Sequence, residues 1–416
     1  MKKLLLTISV ALFAYSVTVY AGGFQQNQHG ARAKALGGAF TALANDPSAI
    51  YWNGAGLTQL KGTHIMLGTH LLTPSSTFRG IAPDKSYSYM ETQLFTPSHF
   101  FGSHNFDNGL AIGLGFTTPY GSGTKWNEDW VGRYITTETK LQTFILMPTI
   151  AYEFTEGLSV SASFVYSFAN VLIERMIPQY PFDGDAKISL DGDDTFAFGY
   201  NFGLLYKPLD WLSIGGSFRS EVEYGFEGTA TTTASPQLID RFPKGDITAT
   251  LITPMNIVGG IAVNVTDRFS LSADYQWVGW SSYDSLAVQF ADYDDVSSPR
   301  EYEDSYIVRF GGEYLIVDEF AVMAGIYYDN IPVKSDRLNP SLPDANRLGY
   351  SLGFTAHLTN SFSVTGSFLY VQGEQTTVTE SKENAYPVSG RDFFVPFNGT
   401  YNSNAKIISM SLQYDF

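Results

Sequence analysis

The sequence predicts an all-β membrane protein, a 14-stranded antiparallel transmembrane β-barrel with a small N-terminal helical plug in its lumen. Three observations lead there. Apolar and polar residues alternate with period two along segments long enough to cross a bilayer. Tight turns and long polar loops alternate strictly along the chain, which is the habit of bacterial outer-membrane barrels. Large aromatics (Tyr206, Trp211, Trp277, Trp280, Tyr370, Tyr414) stand at the ends of the apolar frames, where interfacial girdles need them. A soluble sandwich would also alternate, but it has no reason to sort its loops by length.

The chain opens on a leader. Lys2 and Lys3 precede an apolar run from Leu4 to Val19, and Val19-Tyr20-Ala21 supplies the small residues a signal peptidase needs. Residues 1–21 are therefore expected to be a cleaved signal peptide, with the mature chain starting at Gly22. Residues 22–60 break the two-residue alternation. Ala31 to Ala44 is rich in Ala and Gly, with Leu36, Phe40 and Leu43 at helical spacing, and Asn45-Asp46-Pro47-Ser48 forms a turn that can cap a further helical turn. A segment this small and apolar is expected to plug the lumen; a solvated periplasmic arm would be more polar.

From Lys61 to Phe416 the chain reads as barrel. Leu158, Val160, Ala162, Phe164, Tyr166 and Phe168 alternate with Ser159, Ser161, Ser163 and Ser167. In the last segment Ile408, Met410, Leu412, Tyr414 and Phe416 alternate with Ser409, Ser411, Gln413 and Asp415. Strands are expected near 62–80, 89–106, 109–119, 137–154, 157–174, 195–207, 210–227, 247–265, 268–281, 303–316, 319–330, 346–358, 361–373 and 404–416. Short turns lie at Thr155-Glu156-Gly157, Lys207-Pro208-Leu209-Asp210, Thr266-Asp267, Val317-Asp318-Glu319 and Thr359-Asn360. Long loops lie near 177–193, 228–246, 282–302, 331–345 and 374–403. An even strand count lets the sheet close without an edge facing lipid.

Composition narrows the function classes. Charged residues are 16 %, against roughly 25 % in ordinary globular domains. Aromatics reach 15 % and the mean hydropathy is −0.06, as alternation requires. The net charge of −16 becomes −18 once Lys2 and Lys3 leave with the leader, which argues against a nucleic-acid partner. Cysteine is absent, so there is no disulfide and no thiolate metal site. No phosphate-binding loop points to nucleotide hydrolysis, and no cofactor is implied.

Residues 30–57, GARAKALGGAFTALANDPSAIYWNGAGL, together with TTPYG (117–121), DWVGRY (129–134), FGYNFGLLYKP (198–208), RSEV (219–222), GWSSYDSL (279–286), YDNIPV (328–333) and LPDANR (342–347), resemble the FadL family of outer-membrane long-chain fatty acid and hydrocarbon transporters. These segments keep the family's order over nearly the whole mature chain. The resemblance implies a barrel closed by an N-terminal hatch, here Asn45, Asp46, Pro47, Asn53 and Gly54 among its residues. It implies ligand capture among outer loops, an apolar site beside the hatch, and sideways exit where one strand kinks inward, the stretch holding Gly113, Gly115, Pro119 and Gly121. It places a carboxylate-binding Arg at Arg175, and it matches Phe416 to the terminal aromatic read by the barrel assembly machinery. The chain departs from the pattern twice. Asn53-Gly54-Ala55 replaces Asn-Pro-Ala, which would loosen that turn, and Glu303 stands where a second basic residue is expected.

Several residues carry alternative readings. Arg175 either binds a carboxylate or forms a lumenal salt bridge with Glu174 or a loop acid. The glycines either bend the third strand or make room for the hatch. Phe100, Phe101, Phe116, Phe393 and Phe394 either line an apolar route or face lipid. Ser98-His99 invites a hydrolase reading, but adjacent strand residues face opposite sides. His99 and His104 have weak metal-ligand spacing. Asp183–Asp185, Asp191–Asp194 and Asp292–Asp295 either bind Ca²⁺, bridge lipopolysaccharide through divalent ions, or are simply solvated loops. The function expected is passive passage of fatty acids or similar hydrophobic molecules through the outer membrane of a Gram-negative bacterium. An aliphatic or aromatic hydrocarbon is the alternative ligand, a general porin and a barrel lipase the other classes.

Overall fold

The computed structural model describes residues 23–26, 29–81, 85–180, 182–386 and 394–416; the expected leader lies outside them. Among the described residues fourteen antiparallel strands make one closed wall: β1 (Gly62–Gly80), β2 (Ser98–Asn105), β3 (Leu110–Thr117, resuming at Gly121–Lys125), β4 (Glu138–Thr155), β5 (Leu158–Pro178), β6 (Asp185–Leu209), β7 (Leu212–Arg219, then Val222–Thr233), β8 (Gly245–Thr253, then Asn256–Thr266), β9 (Phe269–Val278), β10 (Ser305–Val317), β11 (Phe320–Asp329), β12 (Arg347–Thr359), β13 (Phe362–Gly373) and β14 (Gly399–Asp415). Each pairs with its sequence neighbour. The wall closes where β1 pairs with β14 from His64↔Asp415 to Gly80↔Gly399. Closure pairs the first strand with the last, so neither is left as a free edge, as a bilayer demands.

The two frames separate as the alternation predicts. On β6, Phe196 and Phe198 are each 61 % exposed, and Tyr200, Phe202, Leu204 and Tyr206 follow them outward, while Ala197, Asn201 and Leu205 are buried. On β14, Ile408, Met410 and Tyr414 face out and Ser409 and Ser411 face in. Trp211 and Tyr414 stand exposed at strand ends. Trp280 does not join them. It is fully buried, with Phe24 edge-on to it at 4.8 Å, because the chain turns inward after β9.

Boundaries differ where strands outrun or fall short of the bilayer. The loops expected near 177–193 and 228–246 are largely extensions of β5 with β6 and of β7 with β8, which keep pairing beyond the wall. Alternation continues there too, with Ala186, Ile188, Ala230 and Ile247 buried on the inner face and polar residues between them. The second strand, expected from 89, begins at Ser98; before it Tyr87–Tyr89 pair with β1 as a short strand and Phe95 bridges Leu72.

Residues 24–26 and 29–60 lie inside the barrel. They contain α1 (Ala31–Ala35), α2 (Ala49–Trp52) and a 3-10 turn (Gly54–Gln59). Helices this short have little stability of their own and depend on packing. Wall glycines admit their backbone: a Cβ on Gly215 would meet the Thr41 carbonyl oxygen at 2.3 Å, and one on Gly325 would meet the Gly37 nitrogen at 2.1 Å.

Candidate functional site

Polar tethers seat one side of the hatch. Arg32 binds Glu313 of β10 through two parallel bonds, Nε to Oε2 at 2.8 Å and Nη2 to Oε1 at 2.9 Å. Such paired charge-assisted bonds combine strength with direction. Asp274 of β9 accepts the Phe40 and Thr41 amides at 3.0 and 2.9 Å. Arg219 of β7 donates to the Tyr51 hydroxyl and carbonyl, each at 2.9 Å. Asn45 accepts from Arg32 at 2.6 Å, and Asp46 caps the next turn by accepting from Ser48 N at 2.8 Å. Pro47 is buried behind that cap.

The other side of the hatch is apolar. Ile50 and Leu57 press on β3, where a Cβ on Gly113 would meet both at 2.8 Å and a Cβ on Gly115 would meet Ile50 at 2.7 Å. These two glycines therefore make room for the hatch, and both stay in register with β2 and β4. Gly54 is likewise a close approach, since a Cβ there would meet Ser161 Oγ and Thr149 Cγ2 at 2.9 Å. Asn53 fastens the same turn by donating to Thr41 O and Leu204 O, both at 2.9 Å. The loosening expected of Asn-Gly-Ala is absent, because the small residue lets the turn reach the wall.

The strand break lies at Thr118–Tyr120, beside Pro119 and Gly121. The ladder between β2 and β3 ends at Phe100↔Phe116, and Gly121–Lys125 pairs only with β4 as a strand. A cavity of about 440 Å³ opens there on the hatch. It is bordered by lumen-facing Leu141 and Thr143 and also by outward-facing Phe116 and Phe144, so its lining passes through the wall. The Phe95 ring covers the break, 2.1 Å from where a Cβ on Gly123 would stand.

A second cavity of about 570 Å³ lies among the long loops, lined by Val171, Ile173, Phe226, Leu251 and Phe290. Arg175 borders it. Its guanidinium has no acid partner among the described residues, because Glu174 pairs instead with Lys187 at 2.8 Å. Phe24 borders both cavities and stands between them. Its strap is pinned where Gln26 N donates to Pro119 O at 2.7 Å, Gly121 N to Phe24 O at 3.0 Å, and Gly23 N to Asp344 at 2.6 Å.

Other expectations change in the folded chain. Phe100 lies on the outward frame and borders neither cavity; its neighbour Phe101 is the lumenal one, packed with the hatch. Phe394 is exposed and Phe393 lies outside the described residues. Glu303 is mostly exposed, pairs with Lys334 at 3.8 Å and borders neither cavity. His99 and His104 face opposite sides of β2, as do Ser98 and His99. Phe416 donates its amide to Thr63 O at 2.9 Å, and its side chain is exposed. Sequence reading passed over Phe24, Phe95 and Lys34. For Lys34 a signal existed, a second cation beside Arg32 inside the small-residue helix ARAKA.

A closed barrel, occluded by its own N-terminal segment and holding two largely apolar cavities in series, is a channel for hydrophobic molecules and not an enzyme. The chain belongs to the family described as outer membrane protein transport protein (OMPP1/FadL/TodX), which matches residues 12–416. It is similar to the long-chain fatty acid transport protein of Salmonella typhi, 25 % identical over 90 % of this chain and 92 % of that one. Its fold is similar to a FadL homologue of Pseudomonas aeruginosa (TM-score 0.84, 18 % identity, 95 % of this chain and 100 % of that one). It is also similar to the toluene transporter TodX of Pseudomonas putida (TM-score 0.76, 16 % identity, 95 % and 100 %). The protein resides in the outer membrane of a Gram-negative bacterium and passes hydrophobic molecules.

Proposed function

We propose that the protein carries long-chain fatty acids inward: the outer cavity captures them, the inner cavity receives them past Phe24, and they leave sideways at the break between β2 and β3. The observation that carries this reading is that each apolar cavity is bordered by cations without an acid partner among the described residues, Arg175 and the exposed Arg241 in the outer and Lys34 in the inner. An uncharged hydrocarbon gains nothing from such cations, whereas a carboxylate gains charge-assisted hydrogen bonds. Burial of the tail supplies the rest, at about 0.8 kcal/mol per methylene before ordering costs. Glu303 is turned away from both cavities and does not oppose an anion. The Salmonella relative supports the fatty-acid reading by its name; the toluene transporter keeps a hydrocarbon as the rival ligand.

Titration of the purified protein with oleate, oleyl alcohol and toluene tests the reading. Oleate binding at least tenfold tighter than oleyl alcohol is the expected result. Toluene or the alcohol binding as tightly as oleate would overturn it in favour of hydrocarbon uptake. Large, steady conductance in planar bilayers would instead make the protein a general porin.

A further inference from the structure

The hatch brings into the inner cavity a lysine without an acid partner among the described residues. Lys34 lies in the last turn of α1, borders the cavity and is only 3 % exposed. Among the described residues its ammonium has neither an acid partner nor a hydrogen-bond acceptor. The titratable groups around it are imidazoles: His29 from the hatch, His70 from β1 and His99 from β2. His70 and His99 lie with ring centroids 5.1 Å apart, and each uses one ring nitrogen on a β14 serine, at 2.8 Å to Ser409 and 3.0 Å to Ser411. Their other ring nitrogens, Nε2 of His70 and Nδ1 of His99, have no partner. The remaining cations of the cavity have acids near them: Arg347 bonds Asp344 at 2.8 Å, and Arg309 feels Asp274 and Asp329.

We propose that Lys34 is the head-group anchor of the inner cavity, taking the carboxylate of a long-chain acid whose tail lies against Leu72, Leu141, Val371 and Ile407. This rests on the fatty-acid reading above. A buried ammonium without a counter-ion is costly, and an incoming carboxylate supplies the missing partner. Burial pushes Lys34 down to about 7, so the empty cavity holds a group that gains a proton when an anion arrives.

The anchor's position has a mechanical consequence. Lys34 rides on the hatch, whereas the apolar lining belongs mainly to the wall. The α1 turn is held to the wall by Ala31 N to Ser411 Oγ at 3.0 Å and by Ser351 Oγ to Ala35 O at 2.8 Å. Displacing that turn withdraws the cation from the head group while the tail site stays in place. The anionic ligand thus loses its anchor when the plug moves, which favours release at that moment.

The test compares oleate with oleyl alcohol on wild type, Lys34→Met and Lys34→Arg, each checked for a folded barrel by its heat-modifiable band. Lys34→Met should weaken oleate tenfold or more and change oleyl alcohol less than twofold, and Lys34→Arg should keep most of the oleate preference. An unchanged preference in Lys34→Met overturns the assignment while leaving the fatty-acid reading intact. A wild type without any preference for oleate overturns both. Should Lys34→Met not assemble, calorimetry of the wild type at pH 8 in buffers of different ionisation heat decides. Uptake of close to one proton per oleate supports Lys34, against the neighbouring His29, His70, His99, Asp329, Arg309 and Arg347, and no uptake overturns it.

Discussion

The outer and inner cavities are both lined mainly by apolar side chains, yet they are built from different material. Hairpins that rise above the bilayer form the outer one, and its charges come in both signs: Arg300 sits near Glu383, and Arg337 pairs with Glu301. Wall strands and the hatch form the inner one, deep in the barrel, where Lys34 has no acid partner among the described residues. A cation in a dry enclosure discriminates charge far more strongly than one near water. On the function proposed above, capture and selection are separate tasks: the broad apolar loops would gather ligand, and the buried Lys34 on the plug would choose it.

The hatch is where the comparison breaks most easily. Arg32→Ala leaves Glu313 without its partner beside the plug, at a cost of about 3 kcal/mol to hatch seating. Hatch amides should then exchange with solvent roughly a hundredfold faster while the barrel amides stay protected, which hydrogen exchange reads directly. Blocking the wall break comes next. Thr118→Trp puts an indole where the inner cavity crosses the wall, so oleate uptake by cells should fall tenfold or more while binding to purified protein changes less than threefold. Equal losses in both would show that the residue shapes the site and not the exit.

The outer cavity should respond more modestly. Arg175→Ala is expected to weaken initial capture about tenfold, or about 1.4 kcal/mol, with the inner preference for oleate over oleyl alcohol retained. The smallest effect is on pH. Lys34 sits near 7 when the cavity is empty and rises when a carboxylate binds. Oleate affinity is therefore full below pH 7 and declines above it, roughly fivefold between pH 7 and pH 8. Oleyl alcohol should not show that decline, and Lys34→Met should abolish it.

Much of this architecture was legible before folding. Leu158 to Phe168 and Ile408 to Phe416 announce their two faces because strand periodicity is a property of consecutive residues. The run from Gly30 to Leu57 announces the plug by composition and by its likeness to the family's hatch. Arg175 was singled out from the sequence and does border a cavity. The surroundings of other residues could not be read from consecutive positions. Phe100 and Phe101 are neighbours of equal chemistry, and only the pleat decides which one turns inward. Gly113 and Gly115 look like bend-formers next to Pro119, but what they accommodate is Ile50 and Leu57, some fifty residues earlier in the chain.

The sequence by itself determined the barrel, its fourteen crossings, its lipid-facing frame and the presence of a plug, because these follow from local alternation, turn spacing and composition. Tertiary structure decided the rest: where the wall opens, how Phe24 stands between two cavities, and which cation lacks an acid. Whether a charge has a partner depends on every strand that converges on it, and no stretch of consecutive residues around Lys34 contains that information.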